Sequence, residues 1–350
     1  MTKKKHLERK VRQRIQTTLC ICWLLSGLLL ASCSPSTQSQ PASHASPGAT
    51  PSPTLSATSG STINMPIPTT GCGKTSPVTA GTSANQTIAA HPAVSRGHTT
   101  RTYIVHVPAT YKSNRPQAVV LVFHGHGGSA VDTDASSGFS QLAEQRGFIA
   151  VSPQGLLDDD GLPFWASIGP IDYGMDDALF VSDLLTKLQA DFCVDPHRIY
   201  ATGFSNGGGM SGFLACKLAM RIAAFAPISG NYYDLPGGCH PGRAVPILEI
   251  HGTADSIVPY QGISPDENPT WPLPSIPHWL QDWATRDGCA KGPITFLQKP
   301  GVTGMQWANC QSNAAVVHYR IEGGGHDVPS TLGDHSTVAT IWDFFQAHPL

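Results

Sequence analysis

The sequence predicts an α/β fold, a mostly parallel central sheet with helices on both faces. Three observations carry that reading. Continuous apolar runs of strand length recur along the chain, as strands covered on both sides require. Stretches with apolar residues at helical spacing alternate with those runs, the order that builds parallel sheets. One strand-like run then passes into a helix-like segment through a tight corner, GFSNG at 203–207.

The elements follow in order. Residues 101–107 (RTYIVHV) alternate and read as an early strand, and 118–123 (AVVLVF) is apolar throughout before it enters HGHGG. A helix at 140–146 leads to a third strand at 147–151. Residues 175–188 read as a helix. Asp176 and Asp177 lie in its first turn, where the helix dipole favours acids, and Leu179, Val181, Leu184, Leu185 and Leu188 form its apolar face. A strand at 198–203 and a helix at 210–220 come next, then strands at 245–250 (VPILEI) and 315–321 (AVVHYRI) and a helix near 336–346. Trp279, Leu280 and Trp283 have helical spacing and read as core.

The first residues are strongly basic and run into an apolar stretch too short to span a bilayer, the pattern of an export signal. It ends at Leu30-Ala31-Ser32-Cys33, which resembles a bacterial lipobox with Cys33 as the lipid-bearing residue. An ordinary cleaved signal with a chance cysteine is the alternative. Residues 1–33 are therefore read as a signal segment, and residues 34–70, rich in Ser, Pro and Thr, as a disordered tether. Residues 71–350 form one folded domain, expected to be monomeric and exported, either secreted or lipid-anchored to the outer face of the bacterial membrane. A formal net charge of −2 argues against a nucleic-acid partner, and the lipid is the only membrane contact expected.

Of nine cysteines, Cys72, Cys193, Cys216, Cys239, Cys289 and Cys310 remain in the domain. In an exported chain they imply up to three disulfides. Cys289 and Cys310 bracket one excursion and are the first pair expected. No CxxC spacing points to zinc.

Ser205 sits between Gly203 and Gly207, after a buried strand and before a helix, the setting of a nucleophile elbow. A serine hydroxyl needs a base, and in this topology the acid and then the histidine follow on loops after later strands. Asp255 and His326 occupy those loops. Asp266, Glu267, Asp282, Asp287 and Glu322 are rival acids less well placed, and His251 is a rival base that reads as a brace. The backbone N–H groups of Asn206 and His126 are the expected oxyanion donors. His124 and His126 form an HxH pair, but the Asp-His continuation of a metal motif is absent, so no metal or cofactor is expected.

The segments RTYIVHVPATY, HGHGGS, DDALFVSDLL, CVDPHRIYATGFSNGGGMSGFLAC, HGTADSIVPY and IEGGGH together resemble the secreted feruloyl esterase and polyhydroxybutyrate depolymerase-like carbohydrate esterases, which have the α/β-hydrolase fold. The resemblance implies the triad Ser205, Asp255 and His326. It implies ester hydrolysis, with hydroxycinnamoyl esters of plant polysaccharide as substrate, or alternatively acetylxylan, a small ester or poly(3-hydroxybutyrate). The absence of a separate surface-binding module favours the soluble or cell-wall ester. Many relatives carry Cys or Gly in place of His126 and Thr-Trp-Pro in place of Asp327-Val328-Pro329, so the substrate stays open. Trp165, in the Gly- and Pro-rich segment 155–173, either stacks on an aromatic acyl group or fills core. A non-catalytic binding lipoprotein on the same fold is the reading from another class, and the presence of all three triad residues argues against it.

Overall fold

The computed structural model describes residues 64–350 apart from 66, 167 and 170–172. The expected signal segment 1–33, with Cys33, and residues 34–63 of the expected tether lie outside the described residues. Residues 67–70 belong to the folded domain rather than to the tether. Gln189 Nε2 donates to the Ile67 carbonyl, Thr69 Oγ1 to the Val194 carbonyl, and the Thr70 N–H to the Gln189 carbonyl. Their composition reads as linker, yet their backbone and hydroxyl groups find partners on the domain.

In chain order, β1 (Thr82–Ala89), β2 (Thr100–Val107) and β3 (Gln117–Phe123) are followed by α1 (Ala130–Ser136), α2 (Phe139–Arg146) and β4 (Ile149–Pro153). Two short strands, β5 (Leu156–Leu157) and β6 (Pro163–Phe164), pair as a small hairpin. Next come α3 (Asp177–Asp191), β7 (Val194–Phe204), α4 (Asn206–Lys217), β8 (Ala224–Ile228), β9 (Ile247–Gly252) and α5 (Ile276–Arg286). The chain closes with β10 (Lys291–Lys299), β11 (Val302–Ala308), β12 (Val316–Ile321), the short pair β13 (Thr331–Leu332) and β14 (His335–Ser336), and α6 (Thr337–Ala347).

The sheet runs β1-β2-β4-β3-β7-β8-β9-β12-β11-β10. From β4 to β12 every neighbour is parallel. Antiparallel strands finish both edges. Alternation along β3 divides the core into two layers. Val119, Leu121 and Phe123 pack in the layer with α3, α4 and α5, and Ala118, Val120 and Val122 in the layer with α2 and α6. The long connection between parallel neighbours puts a helix on one face or the other, so the C-terminal strand ends stay open at one rim.

Helix α3 departs from the expected pattern in two ways. Its buried face uses Phe180 while Leu179 is only half-buried. Asp176 caps the helix, accepting the Leu179 N–H at 2.8 Å, but Asp177 is no solvent-facing dipole acid. It is fully buried, with Oδ1 2.7 Å from Arg101 Nη1 and Oδ2 accepting the Ala166 N–H. That pair ties β2, α3 and the segment after β6 together.

Among the described residues three disulfides close loops, Cys72–Cys193, Cys216–Cys239 and Cys289–Cys310. The last is the pair expected from the spacing. Such bonds fit a protein that matures in an oxidising compartment outside the cytoplasm.

Candidate active site

At the C-terminal end of β7 the chain turns sharply into α4, and Ser205 takes the corner with φ 58° and ψ −122°. A side chain with a Cβ holds that conformation only where the surroundings enforce it. They do so here by close packing. A Cβ at Gly203 would collide with the Gly207 carbonyl, and one at Gly207 with the Phe123 carbonyl, so both flanking glycines are required by the approach of β7, α4 and β3. The Ser205 N–H donates to the Ile228 carbonyl at 2.9 Å, which fixes the corner on β8. Ser211 Oγ bonds back to Ala201, and α4 begins four residues earlier than the expected helix because the glycines at 207–209 are helical rather than loop.

Asp255 follows β9 and His326 follows β12. The two loops are laced together: the Ala254 N–H donates to the Gly324 carbonyl, the Thr253 N–H to the Ile321 carbonyl, and the Gly323 N–H to Thr253 Oγ1. His326 Nε2 lies 2.8 Å from Ser205 Oγ, and His326 Nδ1 lies 2.7 Å from Asp255 Oδ2. Asp255 is buried, and its Oδ1 accepts the N–H groups of Ile257 and Val258 at 2.9 and 2.8 Å. The result is one hydrogen-bonded chain from hydroxyl to imidazole to carboxylate, with the hydroxyl at the cleft.

The rivals lie elsewhere. Asp287 is buried beside Val245 at the start of the strand that leads to Asp255, and Asp282 faces His278. Glu267 accepts from Ser264, and Glu322 from Arg320. Asp266 is exposed. His251 is fully buried and donates toward the Val258 carbonyl, bracing the acid loop.

The loop after β3 carries His124 and His126, whose side chains go different ways. His124 is buried with both ring nitrogens engaged: Nδ1–H donates to the Gly125 carbonyl at 2.7 Å, and Nε2 accepts the Gly155 N–H at 2.9 Å. Burial holds its pKa below the ordinary imidazole value, against the pull of the Gly125 carbonyl. His126 lines the cleft with Ser205, and its Nε2 is 2.7 Å from Asp158 Oδ2. The Gly127 N–H also donates to the Pro163 carbonyl, so the β5–β6 hairpin is fastened to this loop twice. Asp158 is held below the usual carboxylate range by the Leu162 N–H and then by His126. Asn206 opens α4, where a backbone N–H has no intrahelical acceptor. Its side chain clamps the backbone of Trp165 in both directions, at 2.7 and 3.0 Å.

Of the two readings left open for Trp165, the structure supports core. Its ring is 1% exposed, edge-on to Phe123 and stacked with Phe180, and its indole N–H donates to the His124 carbonyl. Trp165 borders the cleft of about 550 Å³ beside Ser205, whose other aromatic walls are Phe164, Tyr173, Tyr233 and Trp271. Tyr233 and Trp271 meet edge to face at 5.2 Å. Sequence reasoning missed this pair. The signal was there in Tyr232-Tyr233 just after a parallel strand, but β8 itself was not read.

Sheet order, elbow and crossing loops define an α/β-hydrolase fold. Among solved structures the chain superimposes on an acetyl xylan esterase from Aspergillus awamori with a TM-score of 0.56 at 16% identity, over 75% of this chain and 99% of that one. In sequence it is 32% identical to feruloyl esterase B of Piromyces equi over 65% of this chain and 42% of that protein. It is 27% identical to a bifunctional acetylxylan esterase/xylanase of Neocallimastix patriciarum over 69% and 32%. A probable feruloyl esterase C of Aspergillus oryzae is 29% identical over 71% and 84%. The chain thus spans less than half the length of the first two of these relatives. No family model matches. By these comparisons the chain is similar in sequence to feruloyl esterase-like carbohydrate esterases, as its motifs led one to expect.

Proposed function

We propose that the protein is an exported serine esterase that hydrolyses carboxylic esters through an acyl-enzyme on Ser205, with hydroxycinnamoyl esters of plant cell-wall polysaccharide as its substrate. The observation that carries this reading is the Ser205–His326–Asp255 chain opening on an aromatic cleft. His326 Nε2 takes the hydroxyl proton as Ser205 Oγ attacks the ester carbonyl. Asp255 holds the Nδ1–H and stabilises the imidazolium that forms. The carbonyl oxygen becomes an oxyanion, received by the backbone N–H groups of Asn206 and His126, where preorganised donors lower the barrier most. Collapse expels the alcohol, which takes the proton from His326. Water then repeats the sequence on the acyl-serine and releases the acid.

Tyr233, Trp271, Phe164 and Tyr173 would receive an aromatic acyl group, and the names of the feruloyl esterase relatives point the same way. An acetyl group would leave that cleft largely unfilled, although acetylxylan esterases are among the relatives. We place the protein outside the cytoplasm, anchored through Cys33.

The test is a ratio of kcat/KM values for methyl ferulate, a short aliphatic ester and a 3-hydroxybutyrate oligomer. An aromatic pocket is worth on the order of 1–3 kcal/mol per mismatched group, so methyl ferulate should lead by tenfold or more. Ser205→Ala should remove nearly all turnover while the protein still folds. A tenfold lead for the hydroxybutyrate oligomer moves the substrate to polyesters, and full activity in Ser205→Ala overturns the mechanism.

A further inference from the structure

Beneath Asp255 lies a buried polar group that the mechanism above does not use. Glu249 and His251 are alternate residues of β9 on one face, and neither has solvent exposure. Glu249 Oε1 accepts from His251 Nδ1 at 2.9 Å and from the Tyr232 hydroxyl at 3.2 Å. His318 Nδ1, from β12, lies 2.8 Å from Oε2 and aims its N–H at the Glu249 backbone carbonyl, 3.2 Å away. The other nitrogen of His318 meets the Tyr260 hydroxyl at 2.9 Å, so one ring proton satisfies that residue.

His251 differs. Its Nδ1 faces the Glu249 carboxylate, and its Nε2 faces the Val258 carbonyl at 2.8 Å and Asp255 Oδ2 at 3.4 Å. Every neighbour of the ring nitrogens is an acceptor. A neutral imidazole has one N–H and would turn a lone pair on one of them, whereas a ring with both protons donates on both sides. Burial opposes the charge, but the hydrogen bond and charge of Glu249, then Val258 and Asp255, outweigh it and raise the pKa of the ring. Burial alone would likewise lift Glu249, yet His251 and His318 hold it down at about 2. The remaining ionisable groups around the ring are Tyr260, 5.9 Å away, and Arg320 of β12, the register partner of His251, which is turned to Glu322.

We propose that His251 is a positioning residue that stays protonated, an imidazolium anchored on Glu249 that fixes Asp255 from the side away from His326. The inference rests on reading Ser205, His326 and Asp255 as the triad. Two effects follow. Oδ2 of Asp255 is held between two rings, one of which never lets go of its proton, so its aim at His326 does not depend on solvent. The positive charge behind Asp255 also offsets part of the carboxylate's pull on the proton that His326 takes from Ser205 in the reaction. Brace and charge are distinct, and they can be separated by experiment.

In the full chain, His251→Gln and Glu249→Gln should each lower kcat on methyl ferulate about tenfold with KM nearly unchanged, through lost alignment. Each should move the acid limb of kcat/KM upward by about one pH unit, because His251→Gln removes the cation and Glu249→Gln, by removing the counter-ion, lets His251 give up its proton. A merely structural role predicts lower stability with the acid limb in place, and that result in folded variants overturns the proposal. Should the variants fail to fold, nitrogen-15 NMR of histidine-labelled wild-type protein at pH 7 decides: both ring nitrogens of His251 protonated supports it, one protonated ends it. An inactive wild type with a doubly protonated His251 would instead count against the esterase reading.

Discussion

Asp287 is the residue whose environment most clearly costs the fold something. It is fully buried, Oδ1 accepts the Val245 N–H at 2.8 Å, and Oδ2 has no partner. Burial raises its carboxyl to about 7, against the opposing pull of Val245 and Arg243. The sign follows from linkage. A group that holds its proton more tightly when folded contributes stability below its unfolded value of 3.8, and loses it as pH rises to about 7. The loss is on the order of a few kcal/mol. Asp287→Asn keeps an acceptor for Val245 and cannot ionise, so its Tm should fall less than wild type between pH 5 and pH 8. Parallel Tm profiles would show that the wild-type carboxyl does not titrate in the fold. At this scale the sequence is legible where chemistry fixes a position relative to a strand end. Ser205, Asp255 and His326 each follow one, and the structure brings those three together. It is illegible where a side chain's fate depends on what crosses over it. Trp165 looks the same in sequence whether it lines a cleft or sits under the Asn206 clamp, and nothing local to His126 announces Asp158 thirty-two residues away.

Among the elements, the hairpin of β10 and β11 depends most on a covalent tie. β10 is an edge strand with almost every residue exposed, so little apolar burial holds it. Cys289 and Cys310 join the chain just before β10 to the chain just after β11 across a separation of 21. Closing a loop of that length contributes about 3 kcal/mol in the chain-entropy model. The bridge sits near Asp287 and Val245, at the opposite end of the parallel strands from Ser205. Cys289→Ser with Cys310→Ser should therefore lower unfolding free energy by about 3 kcal/mol and leave kcat/KM within about twofold. A large loss of turnover with unchanged stability would place the hairpin in the function instead. The exposed edges also explain which elements escaped the sequence. β1 (TSANQTIA) and β10 (KGPITFLQK) lack an apolar run because one or both faces meet water. β8 (AFAPI) is buried but short and carries a proline, and so resembles a loop. The strands that were read are β2, by its alternation, and β3, β4, β7, β9 and β12, which lie among the parallel strands covered on both sides. Their bounds slip by one to four residues where polar starts such as Val194-Asp-Pro-His join the ladder.

For the whole molecule, fold class was legible because six parallel strands must be covered twice, which writes apolar runs and helical faces alternately into the chain. The antiparallel additions at both edges were not, since nothing in a half-exposed strand says which edge it joins. The proposed position of the molecule in the cell is a separate matter, and it rests on Cys33 and residues outside the described part of the chain. A cysteine after Leu-Ala-Ser at the end of an apolar stretch fits a lipid-bearing N-terminus, and the polar segment that follows, free of charge from 34 to 63, fits a spacer. One acyl chain binds a membrane only marginally and reversibly, so stable anchoring requires more than one on the modified residue. Cys33→Ser would then remove the anchor while leaving the folded domain intact. The variant should move from the membrane pellet to the soluble fraction, or accumulate unprocessed, with kcat/KM on soluble methyl ferulate unchanged within about twofold for any mature protein. Turnover of an insoluble feruloylated polysaccharide should change with location, because an anchored enzyme meets only what reaches the cell surface. If the variant stays with the membrane and is processed normally, Cys33 carries no lipid, and a cleaved signal followed by binding to the cell wall becomes the account of where the protein works.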